Sequence, residues 1–118
     1  MITIRMQTSK YKLTVEGHAL PEESEQYREI CAATSALAQS LAWTISKGKR
    51  FGAKAIEYRP DPGNLMLRVF PEMWENTAYS NAFRVIGDGF ELLAKSHPQS
   101  VTFIWDGERI LPDKEDEK

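Results

Sequence analysis

The 118-residue chain has one cysteine, Cys31, and only two histidines, His18 and His97. A lone thiol excludes an internal disulfide framework and a cysteine-based zinc site within one chain, and it fits a reducing compartment. There is no excess of basic residues either. Fifteen Lys and Arg stand against 17 Asp and Glu, a formal net charge of −2. With no basic stripe to neutralise phosphates, direct nucleic-acid binding is not expected. No apolar run approaches the roughly 20 residues of a membrane span, and the richest, Cys31 to Ile45, is broken by Thr34, Ser35, Gln39 and Ser40. Met1-Ile2-Thr3-Ile4-Arg5 is too short and too alternating for a signal peptide. No internal repeat, low-complexity segment, metal motif or cofactor motif stands out. These absences leave one cytoplasmic domain over 1–112, with no metal and no cofactor, followed by a charged tail over 113–118 that is expected to fray.

The residues present set out a clear element order. Ile2, Ile4 and Met6 alternate with Thr3 and Arg5, then Tyr11, Leu13 and Val15 alternate with Lys12, Thr14 and Glu16. Both runs have the period of a half-buried strand, and together they predict an antiparallel hairpin that Gly17 ends. From Ile30 the period turns helical: Ile30, Thr34, Leu37, Leu41 and Ile45 share one stripe, flanked by Ala38 and Ala42. Lys47-Gly48-Lys49 suits a helix end. Gly52–Arg59 and Asn64–Phe70 read as a second hairpin around Asp61-Pro62-Gly63-Asn64. Tyr79, Phe83, Ile86, Phe90 and Leu93 mark a second helix. Gly87 and Gly89 inside it predict close packing, most naturally against the alanine-lined first helix. Val101, Phe103 and Trp105 form a last strand. The order ββαββαβ is that of a two-layer α+β domain, a mixed sheet with two helices on one face.

Leu20–Glu29 reads two ways. Pro21-Glu22-Glu23 has the residues of a helix start, yet the run is rich in glutamate and poor in apolar periodicity, as a loop would be. The difference matters for Cys31. A helix beginning between Arg28 and Ile30 gives the thiol the unpaired amides and positive pole of its first turn, which favour a thiolate. A helix beginning at Pro21 does not.

Cys31 is either a small buried hydrophobe, the usual fate of a free cysteine, or a nucleophile at the edge of the apolar stripe. His18, leaving the second strand, is either a surface or capping histidine or the base for that thiol. Together they form a possible dyad: the imidazole takes the thiol proton, the thiolate attacks a peptide carbonyl, and the imidazolium protonates the leaving amine. The N–H groups of Cys31 and Ala32 are candidate donors to the oxyanion. Ser35, one turn on, is either bonded to a carbonyl one turn back or a polar wall of the site. Glu22, Glu23, Glu25 and Glu29 form a solvated face or attract a basic peptide. Trp43, on the polar side of the helix, is either a half-exposed packing residue or a subunit contact. His97, before Pro98, reads as a surface residue.

Gly17-His18-Ala19 after a second strand, followed by Ile30-Cys31-Ala32-Ala33-Thr34-Ser35-Ala36-Leu37 and later by Val85-Ile86-Gly87-Asp88-Gly89-Phe90-Glu91-Leu92-Leu93, resembles the bacterial ribosomal-processing cysteine proteases, the Prp family. The likeness spans about Ile2 to Trp105, with His97-Pro98 at the family's tyrosine-proline position. The resemblance implies a small homodimer that removes the N-terminal extension of a large-subunit ribosomal protein, or a relative that trims a phage capsid or scaffold protein. It implies His18 as catalytic histidine, Cys31 as nucleophile, Ser35 as the supporting serine, and a mobile segment between them that orders over a peptide rich in bulky apolar and aromatic residues. The chain departs from the pattern in that segment. Leu20-Pro21 replaces a glycine-rich start, Arg28 stands where the family has an aspartate, and Glu29 lies one position away. The readings from other classes are a non-enzymatic dimeric domain that binds a peptide or a ribosomal surface, and a redox-sensing thiol.

Overall fold

The structure, a computed structural model, describes residues 1–17, 25–47, 53–61, 63–71 and 77–111. Strands β1 (Ile2–Gln7) and β2 (Lys12–Gly17) form the expected hairpin, in register from Ile2 opposite Gly17 to Gln7 opposite Lys12. A single 3-10 turn, Thr8–Lys10, joins them, and Tyr11 closes it in a left-handed conformation at φ 48°. Helix α1 (Glu25–Ser46) follows, then β3 (Ala53–Asp61), β4 (Asn64–Pro71), helix α2 (Thr77–Ser96) and β5 (Val101–Trp105). This is the ββαββαβ order read from the sequence. A short strand β6 (Glu108–Ile110) adds a hairpin after it, through the Asp106-Gly107 turn.

The strands lie in one mixed sheet, in the order β3-β4-β2-β1-β5-β6. Four of the five pairings are antiparallel. The parallel one joins β1 to β5, with Ile2 opposite Val101 and Met6 opposite Trp105, so α2 serves as part of a crossover connection. The inward positions, Ile2, Ile4, Met6, Leu13, Val15, Leu67, Val69, Val101 and Phe103, are all buried. Against them pack Ile30, Leu41 and Ile45 of α1 and Tyr79, Phe83 and Phe90 of α2. Edge-to-face contacts of Tyr11 with Tyr79 and Phe83, with centroids 5.9 and 5.7 Å apart, weld the first hairpin to α2.

The two helical glycines do different jobs. A Cβ at Gly89 would meet Leu37 of α1, as the sequence suggested. A Cβ at Gly87 would lie 2.7 Å from the Trp105 ring and 3.1 Å from the Met6 sulfur, so this glycine seats α2 on the sheet, not on α1. That corrects half of the sequence expectation. The physical reason is angular: two positions along a helix are about 200° apart, so two glycines so spaced face different neighbours.

Of the two readings of the start of α1, the later one does not hold. The helix is already formed at Glu25, several residues before the Arg28–Ile30 start that would place Cys31 in its first turn. Arg28 and Glu29 are exposed, so no apolar periodicity marks this part of the helix. Its backbone ladder simply continues into the buried stripe from Ile30 onward. Residues 18–24, with His18 and the Leu20-Pro21 start, lie outside the described residues, as do Gly48-Lys49 and the tail from residue 112.

Candidate active site

Gly17 fixes one side of the site. Its φ of +89° lies in the region that favours glycine, and a Cβ there would press on the Met1 carbonyl oxygen. Its amide donates to the Gly63 carbonyl at 2.9 Å. The end of β2 is thereby pinned between the start of β1 and the β3–β4 turn, which sets the point from which residue 18 departs.

Helix α1 supplies the facing wall. Thr34 is buried, and its hydroxyl donates to the Ile30 carbonyl at 2.8 Å. The back-bond considered for Ser35 is thus made by its neighbour. Cys31 is a half-buried free thiol packed against the edge of the core, and Ser35 is exposed one turn later. Both positions agree with the stripe-edge reading.

Between these walls lies a cleft of about 320 Å³, lined by Ile2, Val15 and Gly17 from the first hairpin, by Cys31, Thr34, Ser35, Ala38 and Gln39 from α1, and by Pro60, Asp61, Gly63, Asn64 and Leu65 from the second hairpin. Of the five candidate residues, Gly17, Cys31 and Ser35 meet in this one cleft. Ala32 is exposed and does not line it. His18 lies outside the described residues, one residue beyond Gly17. Glu29, considered as a replacement for the family's aspartate, is exposed on α1 and does not line the cleft.

Sequence reasoning missed the contribution of the β3–β4 turn. Asp61 and Asn64 were read only as turn residues, yet they bring a carboxylate and an amide to the cleft. The register that pairs Asp61 with Asn64 and Asn64 with Glu16 carries the turn up beside Gly17. Nothing local signals this, because it depends on the long-range pairing of β2 with β4.

The position of Cys31 in the helix decides which of its expected aids survive. It is the seventh residue of α1. Only the first four amides of a helix lack intrahelical partners, and the macrodipole effect fades within the first turn. At ~1.5 Å per residue the thiol lies roughly 9 Å along the axis from Glu25. The amides of Cys31 and Ala32 belong to the helical ladder and are not free to hold an oxyanion. Neither the helix pole nor these two amides assists the thiol, contrary to the sequence expectation. What remains for chemistry is a rim thiol, a neighbouring hydroxyl, a carboxylate and an amide across the cleft, and the chain leaving Gly17.

No protein-family model matches the sequence, and no curated protein matches it either. Solved structures do. The essential ribosomal processing protease Prp from S. aureus, in complex with a covalently linked product peptide, superposes with a TM-score of 0.71 at 16% identity, over 89% of this chain and 99% of that one. The same protease in complex with a substrate peptide gives a TM-score of 0.70 at 15% identity, over 89% and 99% of the two chains. SMU.848 from Streptococcus mutans gives 0.66 at 18% identity, over 88% and 90%. At such identities the likeness is one of fold, and it covers nearly the whole domain: this chain has the fold of the ribosomal processing protease Prp.

Proposed function

We propose that the protein is a cysteine endopeptidase in which Cys31 is the nucleophile and His18 its general base and acid. The observation that carries the reading is the cleft in which Gly17, Cys31 and Ser35 meet, on a fold shared with a protease whose structures hold peptides. In this reading the chain leaving Gly17 brings the His18 imidazole to the Cys31 thiol. The imidazole removes the thiol proton. The thiolate adds to the peptide carbonyl, and the imidazolium then protonates the leaving amine as the acyl-enzyme forms. Water, deprotonated by the same imidazole, releases the acyl group. With α1 already formed at Glu25, the thiolate depends on the imidazole and not on a helix pole. Ser35 and Asn64 are the side chains at hand to hold the peptide or its oxyanion.

The proposed substrate is a protein carrying a short N-terminal extension, either of a large-subunit ribosomal protein or of a phage capsid or scaffold protein, processed in the cytoplasm by a homodimer. Val85 and Leu92, both 67% exposed and seven residues apart on α2, are the apolar side chains on its outer side that a second copy could cover. The test is incubation with a panel of such extensions and mass spectrometry of the products. Cleavage at one bond, abolished by Cys31→Ala, supports the proposal; equal cleavage by that variant ends it.

One observation favours a second reading. A thiol seven residues into a helix has lost the usual electrostatic aid to reactivity. A peptide-binding domain without chemistry would show slow alkylation of Cys31 and unimpaired peptide binding.

A further inference from the structure

The candidate cleft has a neighbour at Gln39. A second cleft of about 390 Å³ is lined by Gln39, Ala42, Trp43, Ser46 and Tyr58. Gln39 lines both, so the two hollows adjoin at this residue, and both lie between α1 and the β3 strand. Cys31, Ser35, Gln39 and Ser46 recur along one side of α1, and Trp43 stands further round on its exposed side, beside Gln39 and Ser46. On the other side, Tyr58 and Pro60 sit two apart on β3, opposite Leu67 and Leu65 of β4, and so share the face turned to the helices. β3 is an edge of the sheet, with only β4 beside it. A run of adjoining hollows walled by a helix on one side and an edge strand on the other suits an extended chain.

Its far end is distinctive. Trp43 is 64% exposed, and the Lys47 ammonium lies 5.2 Å from its ring centroid. Among the described residues the lining carries two aromatic rings, a methyl, an amide and a hydroxyl. Trp43 is twelve residues beyond Cys31 in α1, about 18 Å along the axis at ~1.5 Å per residue. An extended peptide rises ~3.3 Å per residue, so this span holds roughly five or six substrate residues.

We infer that the Trp43–Tyr58 hollow is a remote specificity subsite. It receives a bulky apolar or aromatic side chain of an extended substrate, five or six positions from the bond cleaved at Cys31. This inference rests on the endopeptidase reading and adds to it a determinant far from the reacting atoms. Trp43 is a specificity residue here, not a catalytic one.

The probe is a peptide library made from a digested bacterial proteome. It is cut by the wild-type protein and by Trp43→Ala, Trp43→Phe and Cys31→Ala, and the residues flanking each new terminus are read by mass spectrometry. The wild type is expected to enrich Phe, Tyr, Trp, Leu or Met at position five or six from the cut. Trp43→Ala loses that preference, with kcat/KM for the best long substrate falling about tenfold. Trp43→Phe restores most of it, and preferences at the two residues flanking the cut stay as in the wild type. No enrichment at that distance, or the same enrichment in Trp43→Ala, overturns the inference while leaving the endopeptidase standing. So does a fall in dimer content of Trp43→Ala by sedimentation, which assigns the tryptophan to a subunit contact. If the wild type cuts nothing that Cys31→Ala leaves intact, the endopeptidase reading itself fails and the subsite falls with it.

Discussion

The amide of Gly17 donates to the carbonyl of Gly63 at 2.9 Å, joining the end of β2 to the β3–β4 turn on the rim of the cleft. This bond makes the site a meeting point of three elements. Gly17→Ala removes the freedom to hold φ at +89° and forces a methyl against the Met1 carbonyl. The left-handed strain alone costs ~1–2 kcal/mol. The expected loss of stability is more than about 2 kcal/mol once the clash is added. Denaturant unfolding measures it, and an unchanged midpoint would contradict the account.

The two glycines of α2 should respond in opposite ways. Alanine favours a helix over glycine by roughly 1 kcal/mol. At Gly89 the new methyl meets the end of the flexible Leu37 side chain, which can turn aside, so Gly89→Ala should be within about 1 kcal/mol of wild type. At Gly87 the methyl meets the rigid indole of Trp105. There Gly87→Ala should destabilise by about 1–3 kcal/mol despite the helix gain. Thermal or urea unfolding of the pair separates the two cases, and equal effects would mean that both glycines face the same kind of neighbour.

A further stability test concerns the β5–β6 turn. Asp106 accepts from the Thr8 amide at 2.7 Å and from the Thr8 hydroxyl at 2.5 Å, while its own amide donates to the Met6 carbonyl at 2.8 Å. Its φ is +50°. Asp106→Ala should cost about 1–3 kcal/mol, from two lost carboxylate bonds and a left-handed position that alanine tolerates less well. Asp106→Asn should keep the conformation and most of that stability. Equal loss in both variants would point to the charge alone.

The early start of α1 carries a prediction about reactivity. If the imidazole and not the helix pole supports the thiolate, His18→Ala should slow iodoacetamide labelling of Cys31 near pH 7 by about tenfold. Glu25→Gln, at the start of the helix, should change it less than twofold. Labelling rates read by mass spectrometry decide. A large effect of Glu25→Gln with none of His18→Ala would return the thiol to the helix terminus.

Much of the fold was legible because burial repeats at the period of each element. Ile2, Ile4 and Met6 point inward from β1, and Ile30, Leu41 and Ile45 from α1, as the spacing required. The start of α1 was left between two readings, because Pro21-Glu22-Glu23 has the residues of a helix start while the exposed Arg28 and Glu29 give no apolar period to decide it. Strand β6 was missed because Glu108 and Arg109 are exposed and its three residues are held only through pairing with β5. In the site, Cys31 and Ser35 were legible from helical spacing and Gly17 from its place at a strand end. Asp61 and Asn64 were not, because the β2–β4 pairing that lifts their turn beside Gly17 joins segments about fifty residues apart.

A peptidase whose nucleophile is Cys31 and whose base is His18 must show itself in peptide-bond cleavage. The panel of N-terminal extensions is incubated with wild type, Cys31→Ala and His18→Ala, and the products are read by mass spectrometry. The account predicts a single new terminus with the wild type, none with Cys31→Ala, and a rate at least a hundredfold lower with His18→Ala. Undiminished cleavage by Cys31→Ala would contradict it.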